Sequence, residues 1–178
     1  MTFEKVSEEV FVSDNCITVV GPNEIEMLKA SALRNRRKRV RLCAHGKLDD
    51  SVHEMLIVHT NDTYVRPHRH PRKTESFHII EGELDVIVFD EGGAIQAIIE
   101  ISSTADNKAI YYRLAEDQFH TVIVQSDISV FHETTRGPFR SGETEFADWS
   151  PPDSTPDAVR DYLCRLHAQI ESFRGNQA

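Results

Sequence analysis

His68, His70, Glu75 and Gly82 stand in the order His-x-His, four residues, Glu, six residues, Gly. In an extended strand alternate side chains share a face, so His68 and His70 point one way and Arg69 the other. A short turn then lets a neighbouring strand return the Glu75 carboxylate to the two imidazoles. Two imidazoles and a carboxylate on one wall are a donor set for a divalent metal. A further ligand must come from elsewhere, and His120, in the strand-like run Phe119-His120-Thr121-Val122-Ile123-Val124, is the candidate. Three imidazoles and one carboxylate leave two open positions on an octahedral ion, which suits Fe(II), Mn(II), Ni(II) or Co(II). Zinc is also compatible, although four protein ligands would fill its tetrahedral shell. The expected cofactor is therefore one divalent ion: Fe, Mn, Ni, Co or Zn.

The rest of the chain must hold these side chains in place. From Arg39 onward the apolar residues recur with period two. Residues 40–45, 55–59, 64–70, 75–81, 109–114, 119–125 and 128–135 all read as short strands. Residues 83–90 and 94–101 read as a hairpin around Glu91-Gly92-Gly93. Many short strands with polar turns indicate an all-β sandwich or barrel. Two further strand-like pieces, 10–12 and 17–20, precede a break at Gly21-Pro22. Asn23 and Glu26 then form a capping-box pattern for a helix over about 24–34. A final helix begins at Thr155-Pro156, with Val159, Tyr162, Leu163, Leu166, Ile170 and Phe173 as its apolar stripe. That stripe must pack on the outside of the barrel or on a partner subunit. The spacing divides the chain into an N-terminal arm over 1–38, a barrel over 39–140, and a Trp/Pro loop with helix over 141–178.

With these residues in place the chain resembles the cupin superfamily. His68, His70, Glu75 and Gly82 fit the first cupin motif, and His120 stands at the histidine of the second. Asp62, Ala115, Asp117 and Val124 occupy positions where the family has other residues. Within cupins the chain is similar to the WbuC-type cupin-fold metalloproteins. That likeness rests on residues 63–71, on Phe131-His132-Glu133 with Gly137-Pro138, on residues 146–151, and on Arg39 and His45. The resemblance implies a double-stranded β-helix (jelly-roll) barrel with N- and C-terminal helical additions. It also implies a metal held by His68, His70, Glu75 and His120, and a carbohydrate substrate linked to surface-polysaccharide synthesis.

Open metal positions in a small barrel permit two chemistries. One is Lewis-acid isomerisation or epimerisation of a chelating substrate, with a side chain to move the proton. The other is Fe(II)-dependent dioxygenation. A non-catalytic metal- or small-molecule-binding protein is the third reading. Glu133, His45 and Tyr111 are the candidate acid/base groups, and Arg41 and Arg39 the candidate ligand-binding groups. Glu133 shares a strand face with Phe131 and Thr135, whereas His132 takes the other face.

Composition narrows the partners. The 178 residues carry a net charge of −9, which disfavours nucleic acid. The charge is uneven: Arg34, Arg36, Arg37, Lys38, Arg39 and Arg41 are concentrated within eight residues. This run either finishes a helix end or forms a basic rim for an anionic ligand. No apolar run reaches membrane-spanning length, and the N-terminus lacks the basic-then-apolar pattern of a secretory signal. Cys16, Cys43 and Cys164 are three and widely spaced, which suits a reducing cytoplasm. The expected partners are a small-molecule substrate and a second copy of the chain as homodimer, with neither nucleic acid nor membrane.

Overall fold

A computed structural model describes residues 3–115, 117–140 and 142–176. Met1, Thr2, Glu116, Ser141, Gln177 and Ala178 lie outside the described residues. The elements in chain order are β1 (Glu4–Lys5), β2 (Val10–Val12), α1 (Pro22–Arg34), β3 (Arg39–Cys43), β4 (Val52–Thr60), β5 (His68–Arg69) and β6 (Glu75–Glu81). They continue with β7 (Glu83–Phe89), β8 (Ile95–Ser102), β9 (Tyr111–Leu114), β10 (Phe119–Val124), β11 (Ile128–Arg136), β12 (Glu145–Phe146) and α2 (Pro156–Gly175).

The strands form two sheets in the orders β1-β2-β3-β4-β11-β6-β9 and β12-β5-β10-β7-β8. Every pair is antiparallel except β2 on β3. The sheets face each other as a double-stranded β-helix, or jelly-roll, barrel, with α1 and α2 laid on its outside. Period-two alternation is what makes this possible. On β7, Leu84, Val86 and Val88 join the inner core, while Ile87 and Phe89 join the outer core beneath α2.

Tyr162, Leu166 and Ile170 of the α2 stripe are buried against Ile87, Phe89, Phe119 and Ile123, so the helix packs on the barrel's own outer wall. Each such side chain contributes roughly 1.5–3 kcal/mol of burial. Arg174 fastens the last turn to Asp85 and Glu100, at 2.7 and 2.8 Å. On the other sheet α1 places Leu28 and Ala32 on Val40, Leu42, Val58 and Val130.

The chain crosses from one sheet to the other at Gly82, between β6 and β7. Its φ is +78°, and a Cβ there would stand 2.3 Å from the Ile128 carbonyl oxygen. Only glycine meets both demands, which gives the motif's glycine a structural reason.

Several expectations change. α1 begins at Pro22 with Gly21 as its cap, and the Glu24 carboxylate accepts the Gly21 N–H at 2.8 Å. Asn23 and Glu26 therefore lie inside the helix, because Pro22 suits the first helical position and pulls the start back. Residues 17–20 are not a strand; they cross the outer surface with Ile17 and Val19 exposed. The run 64–70 narrows to a two-residue strand, because Pro67 cannot donate to a ladder.

Candidate metal centre

The inner faces of β4, β6, β10 and β11 and the segment around β5 enclose a cavity of about 1140 Å³. His68, His70, Glu75 and His120 all line it. The fold brings them from three strands and one turn. His68 on β5 pairs directly with His120 on β10, while Glu75 opens β6 on the opposite sheet. Ring centroids are 4.7 Å apart for His68 and His120, 4.8 Å for His68 and His70, and 6.1 Å for His70 and His120. His70 Nε2 lies 3.7 Å from one Glu75 oxygen and His120 Nε2 lies 2.8 Å from the other.

Each imidazole is anchored from behind. His68 Nδ1 contacts the Arg66 carbonyl oxygen at 2.8 Å and His120 Nδ1 the Gln118 carbonyl oxygen at 3.0 Å. His70 Nδ1 contacts Thr144 Oγ1 at 3.2 Å. A carbonyl can only accept, so the Nδ1 atoms of His68 and His120 donate, which leaves Nε2 as the atom that carries a lone pair whenever either ring is neutral. This is the outer support that metal-ligating histidines use.

The consequence is sharpest at His120. Its Nε2 lone pair and a Glu75 carboxylate oxygen would be two bases face to face at 2.8 Å. That Glu75 oxygen is buried, and no aligned hydrogen bond reaches it among the described residues. Such a contact requires a proton or a cation between the two groups. A divalent ion fits this donor set of three nitrogens and one carboxylate. Among the described residues no three of these side chains are already closed around a common point; the short His120–Glu75 contact draws them into a pair.

The electrostatics agree with the pairing. Burial lowers His68 to about 3 and lowers His70 as well. Burial also works against charge on His120, but the Glu75 carboxylate outweighs it and raises that histidine. Burial would raise Glu75, but the imidazoles, His120 foremost, hold it below the ordinary carboxylate range.

The other candidates separate. Glu133 on β11 lines the cavity beside Phe131 and Thr135, and His132 faces a second hollow on the outer side. Burial first, then the Glu75 carboxylate, raise Glu133 to about 8. His45 sits at the cavity edge, stacked on His53 with ring centroids 4.0 Å apart. Arg41 lines the cavity without a carboxylate partner among the described residues, whereas Arg39 is held by Glu9 at 3.2 Å. Tyr111 is not brought to this cavity: it is 53% exposed on the outer face of β9. Strand parity puts its neighbour Tyr112 inside instead.

Among the cavity residues that sequence reasoning did not assign to the site are Arg66, Thr144, His53 and His59. Arg66 carried a signal, since it has the same parity as His68 and His70. Thr144 carried none, because a loop sets its place.

A family described as a domain of unknown function (DUF6016) matches residues 21–101. No curated protein matches the chain. Among solved structures the chain is similar to an L-ribose isomerase of Cellulomonas parahominis bound to L-ribose, at 13% identity and TM-score 0.49, covering 63% of this chain and 70% of that one. It is similar to a mutant oxalate decarboxylase of Bacillus subtilis at 15% identity and TM-score 0.43, covering 55% and 24%. It is also similar to the cupin domain of Schizosaccharomyces pombe Cnp3 at 10% identity and TM-score 0.40, covering 56% and 61%. The chain thus spans less than two thirds of the decarboxylase and of the cupin domain. Among the described residues no helix is long and apolar enough to cross a membrane.

Proposed function

We propose that this chain is a divalent-metal cupin of the WbuC type, acting as an isomerase or epimerase on a small polar metabolite. The observation that carries the reading is the set of three imidazoles, each anchored through Nδ1, that line one substrate-sized cavity together with a buried carboxylate. His68, His70, Glu75 and His120 are the residues that would hold the ion. When bound, a divalent ion would polarise substrate oxygens and stabilise negative charge that develops on them.

The chain's own residues supply the rest. Thr144 and the Arg66 and Gln118 carbonyls fix the rings, so ligand orientation is set before any ligand arrives. Glu133 moves the proton: an acid raised to about 8 can both donate and accept near neutrality. Phe77, Phe131 and Val122 enclose the opposite walls and exclude water.

The test is elemental analysis of untagged protein beside His68→Ala, His120→Ala and Glu75→Gln. We expect about one divalent ion per chain, lost in both histidine variants and weakened less in Glu75→Gln, whose amide oxygen can still coordinate. Unchanged metal content in the histidine variants would sink the ligand assignment. Solvent deuterium incorporation into trial sugars tests the isomerase chemistry; oxygen uptake with Fe(II) in its place would overturn that part.

A further inference from the structure

We propose that the cavity holds a second subsite, at the end remote from the metal set, where His59 binds a neutral, hydroxyl-bearing part of an elongated ligand. The inference deepens the reading above and rests on it only for the claim that the cavity takes a substrate.

The strand registers lay out the cavity wall in rows. Glu75 on β6 pairs with Thr135 on β11, and Thr135 pairs with His53 on β4. His59 stands six residues further along β4. At about 3.3 Å per residue that is roughly 20 Å from the row of Glu75. Strand parity keeps His53, Met55, Ile57 and His59 on one face, and all four line the cavity. Met55 and Ile57 thus separate the His59 end from the metal end.

His59 is built into the wall but not satisfied by it. It is only 7% exposed, and no hydrogen bond reaches its buried Nδ1 among the described residues. Phe131 meets its ring edge-on, with centroids 5.3 Å apart, and Arg39 is its cross-strand partner on β3. Burial first, and then the Arg39 charge, lower His59 to about 3, so the ring is neutral. A neutral imidazole carries one donor nitrogen and one acceptor nitrogen. Leaving a buried one unmet is costly, and a ligand group that meets it recovers that cost.

The charges beside His59 cancel. Arg39 donates to Glu9 at 3.2 Å and to the Tyr64 carbonyl oxygen at 3.4 Å. Arg37 pairs with the same Glu9 at 3.3 Å and with Asp153. Asp153 is close enough to act on Arg39 as well. Two guanidinia and two carboxylates therefore form one chain along this end and leave no net charge to draw an ion. The cavity as a whole is lined by as many carboxylates as basic side chains. Asp153 adds a second unmet atom, since its buried Oδ1 accepts no hydrogen bond among the described residues. A hydroxyl donates and accepts through one atom, so a group bearing hydroxyls suits both the imidazole and the carboxylate. An anion would face Glu9 and Asp153, and a cation Arg37 and Arg39.

The test is an NMR titration of the untagged full-length chain, isotope-labelled at nitrogen, with methyl glucoside as probe and sodium sulfate as the charged control. The ring signals of His59 are those absent from His59→Gln, and the backbone amides of β3 and β4 report affinity in the variants. We expect methyl glucoside to shift the His59 ring signals saturably and sulfate to leave them in place. Binding should weaken roughly tenfold in His59→Phe, which keeps a flat ring without nitrogens. It should weaken by no more than about threefold in His59→Gln, whose amide keeps a donor and an acceptor. Binding undiminished in His59→Phe overturns the proposal. So does loss of metal from a cooperatively melting His59→Phe, which would tie His59 to the metal ligands. His68→Ala breaks the metal set and leaves His59 in place. Glucoside binding retained there supports the subsite even where metal analysis sinks the ligand assignment; binding lost there assigns the glucoside to the metal end and overturns the subsite. Sulfate shifting the His59 signals more than glucoside assigns an ionic ligand and overturns it. Glucoside without effect on those signals leaves water as the partner of His59 and overturns it too, whether or not His59→Phe folds.

Discussion

The two faces of the five-stranded sheet are built from the same strands and serve opposite ends. On β10, His120 and Val122 look into the cavity, while Phe119 and Ile123 look out toward α2. The outer face is filled: Tyr162, Leu166 and Ile170 close it with apolar contact. The inner face carries an apolar core too, but beside it the cavity holds buried polar groups whose partners are few. Folding free energy comes from apolar packing on both faces, and the outer layer helps to offset the cost of the polar groups held inside. The comparison teaches that α2 is less an appendage than the counterweight to the cavity.

This contrast can be broken at the corner both faces share. Gly82→Ala forces a Cβ against the Ile128 carbonyl at a positive φ. It should cost on the order of 3–5 kcal/mol, lowering both the denaturant midpoint and metal content. A loss under about 1 kcal/mol would mean that the corner relaxes freely.

Next comes Leu166→Ala, at a side chain only 1% exposed. It should cost about 3 kcal/mol in urea unfolding while leaving metal stoichiometry intact. Metal lost in step with stability would show that the two faces are not separable.

The interior's own cost is legible in pH. Glu133 is raised in the folded chain, to about 8, above its ordinary 4.5. The stability associated with its neutral form is thus complete below the unfolded value and is lost as pH rises through about 8. Chelator-treated protein should lose on the order of 2 kcal/mol between pH 5 and pH 8.5, and Glu133→Gln should flatten that slope. Parallel slopes in the two proteins would place the titration elsewhere.

The smallest expected change is at the support of one ring. Thr144→Val removes the hydroxyl against His70 Nδ1. It should weaken metal affinity about tenfold, or about 1.4 kcal/mol, with the melting temperature unchanged. Competition against a chromogenic chelator reads it directly.

The sequence disclosed what local periodicity encodes. The hairpin of β7 and β8, the long strands β4 and β11, and the stripe of α2 follow from period two and period 3.6. The inward turn of Glu133 and the outward turn of His132 follow from the same parity. What parity could not disclose is which charges cancel. Arg39 and Arg41 look equivalent on one strand face, and both line the cavity, yet only the packing of Glu9 on β3 pairs the charge of one of them. Tyr111 and Tyr112 are adjacent, and the register of β9 on β6 decides which one turns in. Thr144 reaches His70 through a loop, across 74 positions of sequence, where no period operates.

The anchoring of His68 and His120 on main-chain carbonyls has a bearing on how such a barrel can diversify. Those oxygens belong to Arg66 and Gln118 whatever side chains stand there. The wall can exchange its side chains without re-teaching two of its imidazoles where to point. A histidine oriented by a carboxylate would tie that freedom to one more residue. Here the orientation of two imidazoles is set by the trace of the backbone, and the side chains around them are left to vary.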